Sequence, residues 1–169
     1  MKIRLANIKD LSQINDIYNL AIPSKKSTAH TCAISIDERQ EWFKEHKDVK
    51  YPIFVAESNE KIIGWISLSP YRCGRMALQY VAEVSYYIHP ENQKQGIGSL
   101  LLKYVIENAN KYELKNLIAI LLEHNIPSIK LLEKFGFEKW GHMPDIADFD
   151  GKEYGHLYYG LRLIDKTLP

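Results

Sequence analysis

Cysteine is scarce in this chain, and metal-binding spacing is missing. Only Cys32 and Cys73 occur, too few and too isolated for a disulfide framework or a thiolate metal site. A core or pocket position is expected for both. The six histidines show no H-x-H or H-E-x-x-H spacing, so no metal is expected. For His156 the favoured reading is a satisfied structural histidine, with the lining of an acceptor pocket as the alternative. No apolar run approaches the roughly 18 residues of a spanning helix, and "MKIRLANIKD" lacks the apolar core of a secretory signal. No membrane partner is expected, and free thiols suit a cytoplasmic location. Charge of one sign is also lacking: the formal net charge is +1, which excludes a general nucleic-acid surface. Two phosphate signatures are absent. There is no G-x-x-x-x-G-K-[ST], and Leu101 stands where a third glycine would complete G-x-G-x-x-G.

What is present reads as one globular domain over residues 1–169, at 46% hydrophobic and 25% charged residues, with no linker or repeat. Residues Lys2 to Asn7 read as a strand. Leu11, Ile14, Ile17, Tyr18 and Ala21 recur at helical spacing and stop before Pro23. A polar loop follows. Ser35 and Glu38 have capping-box spacing for a helix to about His46. "YPIFVAES" and "KIIGWISLSP" form a hairpin around the four-residue connection "SNEK". "LQYVAEVSYYIHP" is a strand ending at Pro90, and a helix runs from about Gly96 to Tyr112. Leu117 to Leu122 is a strand buried on both faces. A short helix starts after Asn125, and two final strands, Phe137 to Ala147 and Glu153 to Leu163, turn at "FDGK". The order β-α-α-β-β-β-α-β-α-β-β predicts an α/β fold, a mixed sheet with helices on both faces.

The stretch "NQKQGIGS" carries the chemistry. A helix N-terminus presents unpaired N–H groups and the positive end of the peptide dipoles, so an anion is stabilised there. Gly96 and Gly98 let the backbone approach phosphate oxygens, Lys94 adds positive charge, and Gln93 and Gln95 are donors. In "YVAEVSYYI", alternation places Val81, Glu83, Ser85 and Tyr87 on one face. A carboxylate in such a strand is costly unless paired or exposed. Arg72 and Arg75, just before that strand, are candidates to bind an anionic substrate bidentately.

Gln93-Lys94-Gln95-Gly96-Ile97-Gly98 resembles the Q/R-x-x-G-x-G/A segment of the GCN5-related N-acetyltransferases (GNAT). "NIPSIKLLEKFGF" resembles the second coenzyme-A segment of that family. "DIYNLAI", "DERQEWFKEH" and "GHMPDIADFDGKEY" bring the chain nearest to the phosphinothricin and methionine sulfoximine acetyltransferase group. The resemblance implies the GNAT acyl-CoA N-acyltransferase fold, acetyl-CoA as co-substrate, and transfer to the amine of a small molecule, with homodimerisation as an expectation. It implies that Tyr86, Tyr87 and Ile88 bind the cofactor through main-chain atoms where their strand splays from its neighbour. It implies that Lys94 to Ser99, through Ile97 and Gly98, take the pyrophosphate, and that Asn125 holds the pantetheine arm. Glu83 falls where that group's proposed general base sits, and Arg75, eight residues before it, falls where an arginine contacts substrate.

Three positions depart from the pattern. Leu132 replaces the tyrosine that serves many members as general acid for the thiolate; a thiolate of pKa about 8.5 leaves readily without one. Leu78 and Gly155 replace the tyrosine and aspartate common in the phosphinothricin group. Two alternatives stay open: acetylation of a protein N-terminus or lysine, and a coenzyme-A-binding sensor without turnover.

Overall fold

The computed structural model of the chain describes residues 1–46 and 50–163. Strands β1 (Lys2–Leu5), β2 (Ile53–Ser58), β3 (Lys61–Pro70), β4 (Val81–Ile88), β5 (Asn116–Leu122), β6 (Glu138–Phe149) and β7 (Lys152–Arg162) form one sheet in the order β1-β2-β3-β4-β5-β7-β6. The helices are α1 (Leu11–Ala21), α2 (Ile36–Glu45), α3 (Ile97–Asn108) and α4 (Ile126–Lys134). The element order is the expected one. The sheet is mixed: β4 and β5 pair in parallel, joined through α3, and the other pairings are antiparallel. The last residues of the chain, from 164 on, lie outside the described residues.

Local chemistry explains the boundaries. Ser35 and Glu38 form the expected capping box, each side chain bonding the other's backbone N–H, so α2 starts where they meet. The β2–β3 connection is tighter than expected. Only Asn59 and Glu60 intervene, both left-handed at φ 50° and 61°, as the twist of a two-residue hairpin demands. Strand β4 starts later than expected because Met76–Leu78 close into a 3-10 turn. Helix α3 ends at Asn108, where the chain tightens into a 3-10 turn that stops at left-handed Glu113. Near the N-terminus, Arg4 bonds both oxygens of Asp10, at 2.7 and 2.9 Å, and reaches Glu57 at 2.5 Å, fixing β1 to the start of α1.

Alternation along the strands sends apolar side chains to both faces. Phe54, Ile66, Leu68, Ala82 and Val84 pack with Leu101, Leu102 and Val105 of α3 and Leu132 of α4. Ile53, Val55 and Trp65 pack with Ile14, Ile17 and Tyr18 of α1, and Trp42 of α2 joins them. The β4–β5 ladder is short. Val81, Ala82 and Glu83 pair with Asn116, Leu117 and Ile118, and nothing pairs beyond them. Residues 84–88 of β4 and 119–122 of β5 therefore run on either side of an opening. No described helix is long and apolar enough to cross a membrane.

Candidate active site

The site is built around that opening, with backbone on one side of β4 and side chains on the other. The chain leaves β4 at Ile88, passes a 3-10 turn at Pro90–Asn92 and enters α3. Gly96 is the N-cap of α3 at φ 82°, a conformation that L side chains resist. No side chain caps this helix, so the N–H groups of its first turn stay open to a ligand. This contrasts with α4, where Asn125 Oδ1 accepts from Ser128 N–H at 3.4 Å. Gly98 answers to packing: a Cβ there would lie 3.1 Å from Leu131 Cδ2, so the missing side chain seats α3 on α4. Lys94 is exposed, left-handed at φ 61°, and makes no ion pair with a described residue. Gln93 and Gln95 brace the turn in this structure, donating to Ile88 O at 3.4 Å and Glu91 O at 3.1 Å. Ile97 is buried beneath the turn, and Ser99 is the third residue of the helix.

Tyr86 and Tyr87 point to opposite faces of β4. The Tyr86 hydroxyl meets Ser128 Oγ at 2.9 Å, tying β4 to α4 across the opening. Burial pushes its phenol up to about 12. Tyr87 lies tilted against Tyr18 at 4.7 Å and against Trp65 at 4.8 Å between ring centroids, and donates to Ser27 O at 3.1 Å. Burial pushes its phenol well above the ordinary range. Asn125 is buried, with its Oδ1 committed to the α4 cap.

On the Tyr87 face lies a cavity of about 640 Å³. Glu83, Ser85 and Tyr87 of β4 form part of its floor, and their cross-strand partners Ser69, Ser67 and Trp65 of β3 form the next row. Ile120 of β5 and His156 of β7 extend the floor. The loop from Ser27 to Ile34 forms a wall. It is pinned by Asn15 and Asn19, which donate to Ile34 O at 2.9 and 3.0 Å, and by Tyr18, whose hydroxyl meets Thr28 Oγ1 at 2.7 Å and also His30. The face predicted for Glu83 is the face observed. Its carboxylate has no hydrogen-bond or ion-pair partner among the described residues, and burial raises its pKa above the usual carboxylate value of 4.5. A half-buried, unpaired carboxylate in a cavity is poised to accept a proton.

Behind Ser69, His46 Nδ1 donates to Trp42 O at 2.7 Å, so in the neutral ring Nε2 accepts from Ser69 Oγ at 3.1 Å. Burial lowers the His46 pKa below 6.5 and favours that neutral ring.

Several expectations change. His156 is not a satisfied structural histidine. It lines the cavity without a hydrogen-bond partner among the described residues, and burial lowers its pKa. Cys32 and Cys73 are exposed, not in a core or pocket, because both fall on loops. Arg72 and Arg75 are exposed on the β3–β4 connection and do not line the cavity; Leu78 lies in the 3-10 turn of the same connection. Leu132 is 1% exposed in the α3–α4 core and supplies no proton. Gly155 has a packing reason. A Cβ there would fall 2.3 Å from His142 Nε2 and 2.7 Å from Glu123 Oε2. Glu123 also accepts from Gly155 N–H at 2.8 Å, so a carboxylate borne by β5's end fills the space a larger residue 155 would need.

The cavity also contains a residue the motifs did not reveal. Arg39 of α2 is 5% exposed, lies over the rings of Tyr18 at 4.3 Å and Trp42 at 4.7 Å, and donates from Nε to Asn15 Oδ1 at 3.1 Å. The available signal was an arginine three residues before Trp42 and four before Phe43, on the apolar side of a helix.

The geometry thus sets an open helix N-terminus beside a broken parallel pair, with the half-buried carboxylate of Glu83 at the break. Residues 14–137 match the family described as acetyltransferase (GNAT). The chain therefore belongs to the GNAT acetyltransferase family and is an N-acetyltransferase. It is 41% identical over 164 residues to YwnH of Bacillus subtilis (strain 168), whose provisional name is phosphinothricin acetyltransferase, covering 96% of this chain and 99% of that one. It is 28% identical over 169 residues to the L-methionine sulfoximine/L-methionine sulfone acetyltransferase of Salmonella typhimurium, covering 100% and 98%. A Sinorhizobium meliloti phosphinothricin acetyltransferase of the GNAT superfamily, solved in complex with acetyl-CoA, superposes with a TM-score of 0.90 at 26% identity over 96% of this chain and 88% of that one.

Proposed function

We propose that the protein transfers acetyl from acetyl-CoA to the amino group of a small amino acid or analogue, of the kind represented by methionine sulfoximine and phosphinothricin, with Glu83 as general base. The observation that carries this reading is the unpaired, half-buried Glu83 carboxylate in a cavity at the β4–β5 opening. Acetyl-CoA is the co-substrate and supplies the acetyl group as a thioester. The open N–H groups from Gly96 to Ser99 receive its diphosphate, with Lys94 adding charge and Gln93 and Gln95 holding the turn. The main chain at Tyr86, Tyr87 and Ile88, paired with β3 but with no β5 partner, binds the pantetheine arm on one side of the opening, and Asn125 binds it on the other.

The acceptor enters as an ammonium. Glu83 takes its proton, directly or through one water, and the freed lone pair forms the C–N bond as the C–S bond breaks. The electron pair leaves on sulfur, and the second proton, shed by nitrogen as the amide forms, passes to that sulfur or to solvent. No side chain need protonate the sulfur, since a free thiol's pKa is about 8.5, and buried Leu132 agrees with transfer lacking that acid. A base-ready carboxylate also separates this reading from a sensor without turnover, which has no use for one.

The test is a panel of α-amino acids, including methionine sulfoximine and phosphinothricin, together with simple amines and a short peptide, incubated with acetyl-CoA. Release of coenzyme-A thiol with α-amino acids and not with the peptide is the expected result. Tight acetyl-CoA binding without thiol release on any amine would refute transfer; release on the peptide alone would move the acceptor to proteins.

A further inference from the structure

We propose that Arg39 is the anion clamp of this cavity, and that the acceptor is a zwitterion whose carboxylate docks on Arg39 while its ammonium faces Glu83. This rests on the reading that the cavity takes the acceptor. Arg39 is a buried cation without a counter-ion: no described carboxylate pairs with it, although such burial is costly for an unpaired charge. Its Nε is spent on Asn15. Its two terminal nitrogens have no protein partner, yet they are not sealed in. Among the described residues, His124 Nδ1 alone is a fully buried side-chain polar atom without a partner. The free edge of the guanidinium thus opens on the cavity that Arg39 lines.

The neighbours fix its direction. The guanidinium carbon lies 4.3 Å from the Tyr18 ring centroid and 4.7 Å from that of Trp42, and Nε is bonded to Asn15, so the donors of the two terminal nitrogens are what remains for a ligand. That edge matches the two oxygens of a carboxylate. The acidic side chain on the wall, Glu38, is not ion-paired with it and turns Oε2 to Ser35, accepting from Ser35 N–H at 2.8 Å and from Ser35 Oγ at 2.7 Å. Glu83 lines the same cavity and is not ion-paired with Arg39. With Glu38 turned to Ser35, the cavity therefore holds one cation, Arg39, and one further carboxylate, Glu83, that do not pair with each other. Its charge pattern is the complement of an α-amino acid, not of a simple amine or a peptide N-terminus.

The test measures binding of each panel amino acid, and of its decarboxylated amine, to the coenzyme-A-loaded protein by calorimetry. The wild type should favour at least one amino acid over its amine by about 30-fold, the order expected for a charged hydrogen-bonded pair. No such preference overturns the clamp. Arg39→Gln should bring the ratio to within about threefold of unity while coenzyme-A binding persists; a retained ratio overturns the proposal. Should Arg39→Gln fail to fold, Arg39→Lys keeps the cation but loses the two-donor edge, and a ratio equal to wild type overturns the proposal there too. Collapse of the ratio in Arg72→Ala/Arg75→Ala, with Arg39→Gln retaining it, would place the carboxylate on the β3–β4 connection instead. Thiol release by the same proteins, incubated with acetyl-CoA in place of coenzyme A, separates the two ideas. Binding preference without release sinks the transferase reading alone, and release without preference sinks the clamp alone.

Discussion

The two sides of β4 solve different problems with different materials. On the α3 side the ligand-facing groups are main-chain: N–H groups of an uncapped helix start and strand edges left open past Glu83. On the α1–α2 side they are side chains drawn from seven segments, from Tyr18 in α1 to His156 in β7. Backbone donors are insensitive to residue identity but sensitive to φ and ψ. Side-chain donors are the reverse. One half of the site should therefore break when a glycine is replaced, and the other when a charge is removed.

The largest break is expected at Glu83. Glu83→Gln keeps shape and removes the base, so turnover should fall by roughly 10²-fold or more while acetyl-CoA affinity changes little. The pH profile sharpens the point. Burial raises the folded pKa of Glu83, and only its deprotonated form accepts a proton. Activity should thus decline on the acid side through a limb lying above the ordinary carboxylate value of 4.5, and that limb should vanish in Glu83→Gln. Wild-type turnover in the variant would remove Glu83 from the chemistry.

This division also explains what could be read from the sequence. The glycine turn into α3 was legible because backbone geometry leaves glycine at fixed spacing: Gly96 needs its positive φ and Gly98 its closeness to Leu131. The element order was legible from periodicity, and the face of Glu83 from alternation. Arg39 was not, because its meaning depends on rings from α1 and β3 that sequence distance hides. His156 was misjudged for the same reason: its register opposite Leu122 puts it on the cavity floor. The exposure of Cys32 and Cys73 follows from loops whose side-chain directions carry no period. Gly155 reads as a lost aspartate until Glu123 and His142 are seen occupying its space.

A smaller effect is expected at Gly96. An added Cβ meets nothing within 4 Å, so Gly96→Ala costs conformation, not contact. The left-handed backbone costs an L residue about 1–2 kcal/mol. If the turn holds its shape, that cost appears as stability, a Tm lower by about 2–8 °C for a chain of this size. If the turn relaxes, it appears as weaker acetyl-CoA binding, by up to roughly 30-fold for the same energy. Either way the amino-acid-over-amine ratio set on the other side of β4 should not follow. A parallel fall in that ratio would mean that the two sides are one coupled unit.

The smallest effect, and the finest test of the division, is expected at Tyr86. Its hydroxyl bonds Ser128 and so spans the opening, but its phenol is pushed up to about 12, making it a weaker acid than the thiol it would have to protonate. Proton transfer from it to the departing thiolate is uphill. Tyr86→Phe should therefore cost one hydrogen bond, about 1 kcal/mol of stability, measured by denaturant unfolding, with acetyl-CoA binding weakened by about threefold at most on the same scale. Turnover should change little. A roughly 10²-fold fall in turnover at unchanged acetyl-CoA affinity would identify Tyr86 as the acid that Leu132 cannot be. In that case the α3 side would work through a side chain as well as through backbone.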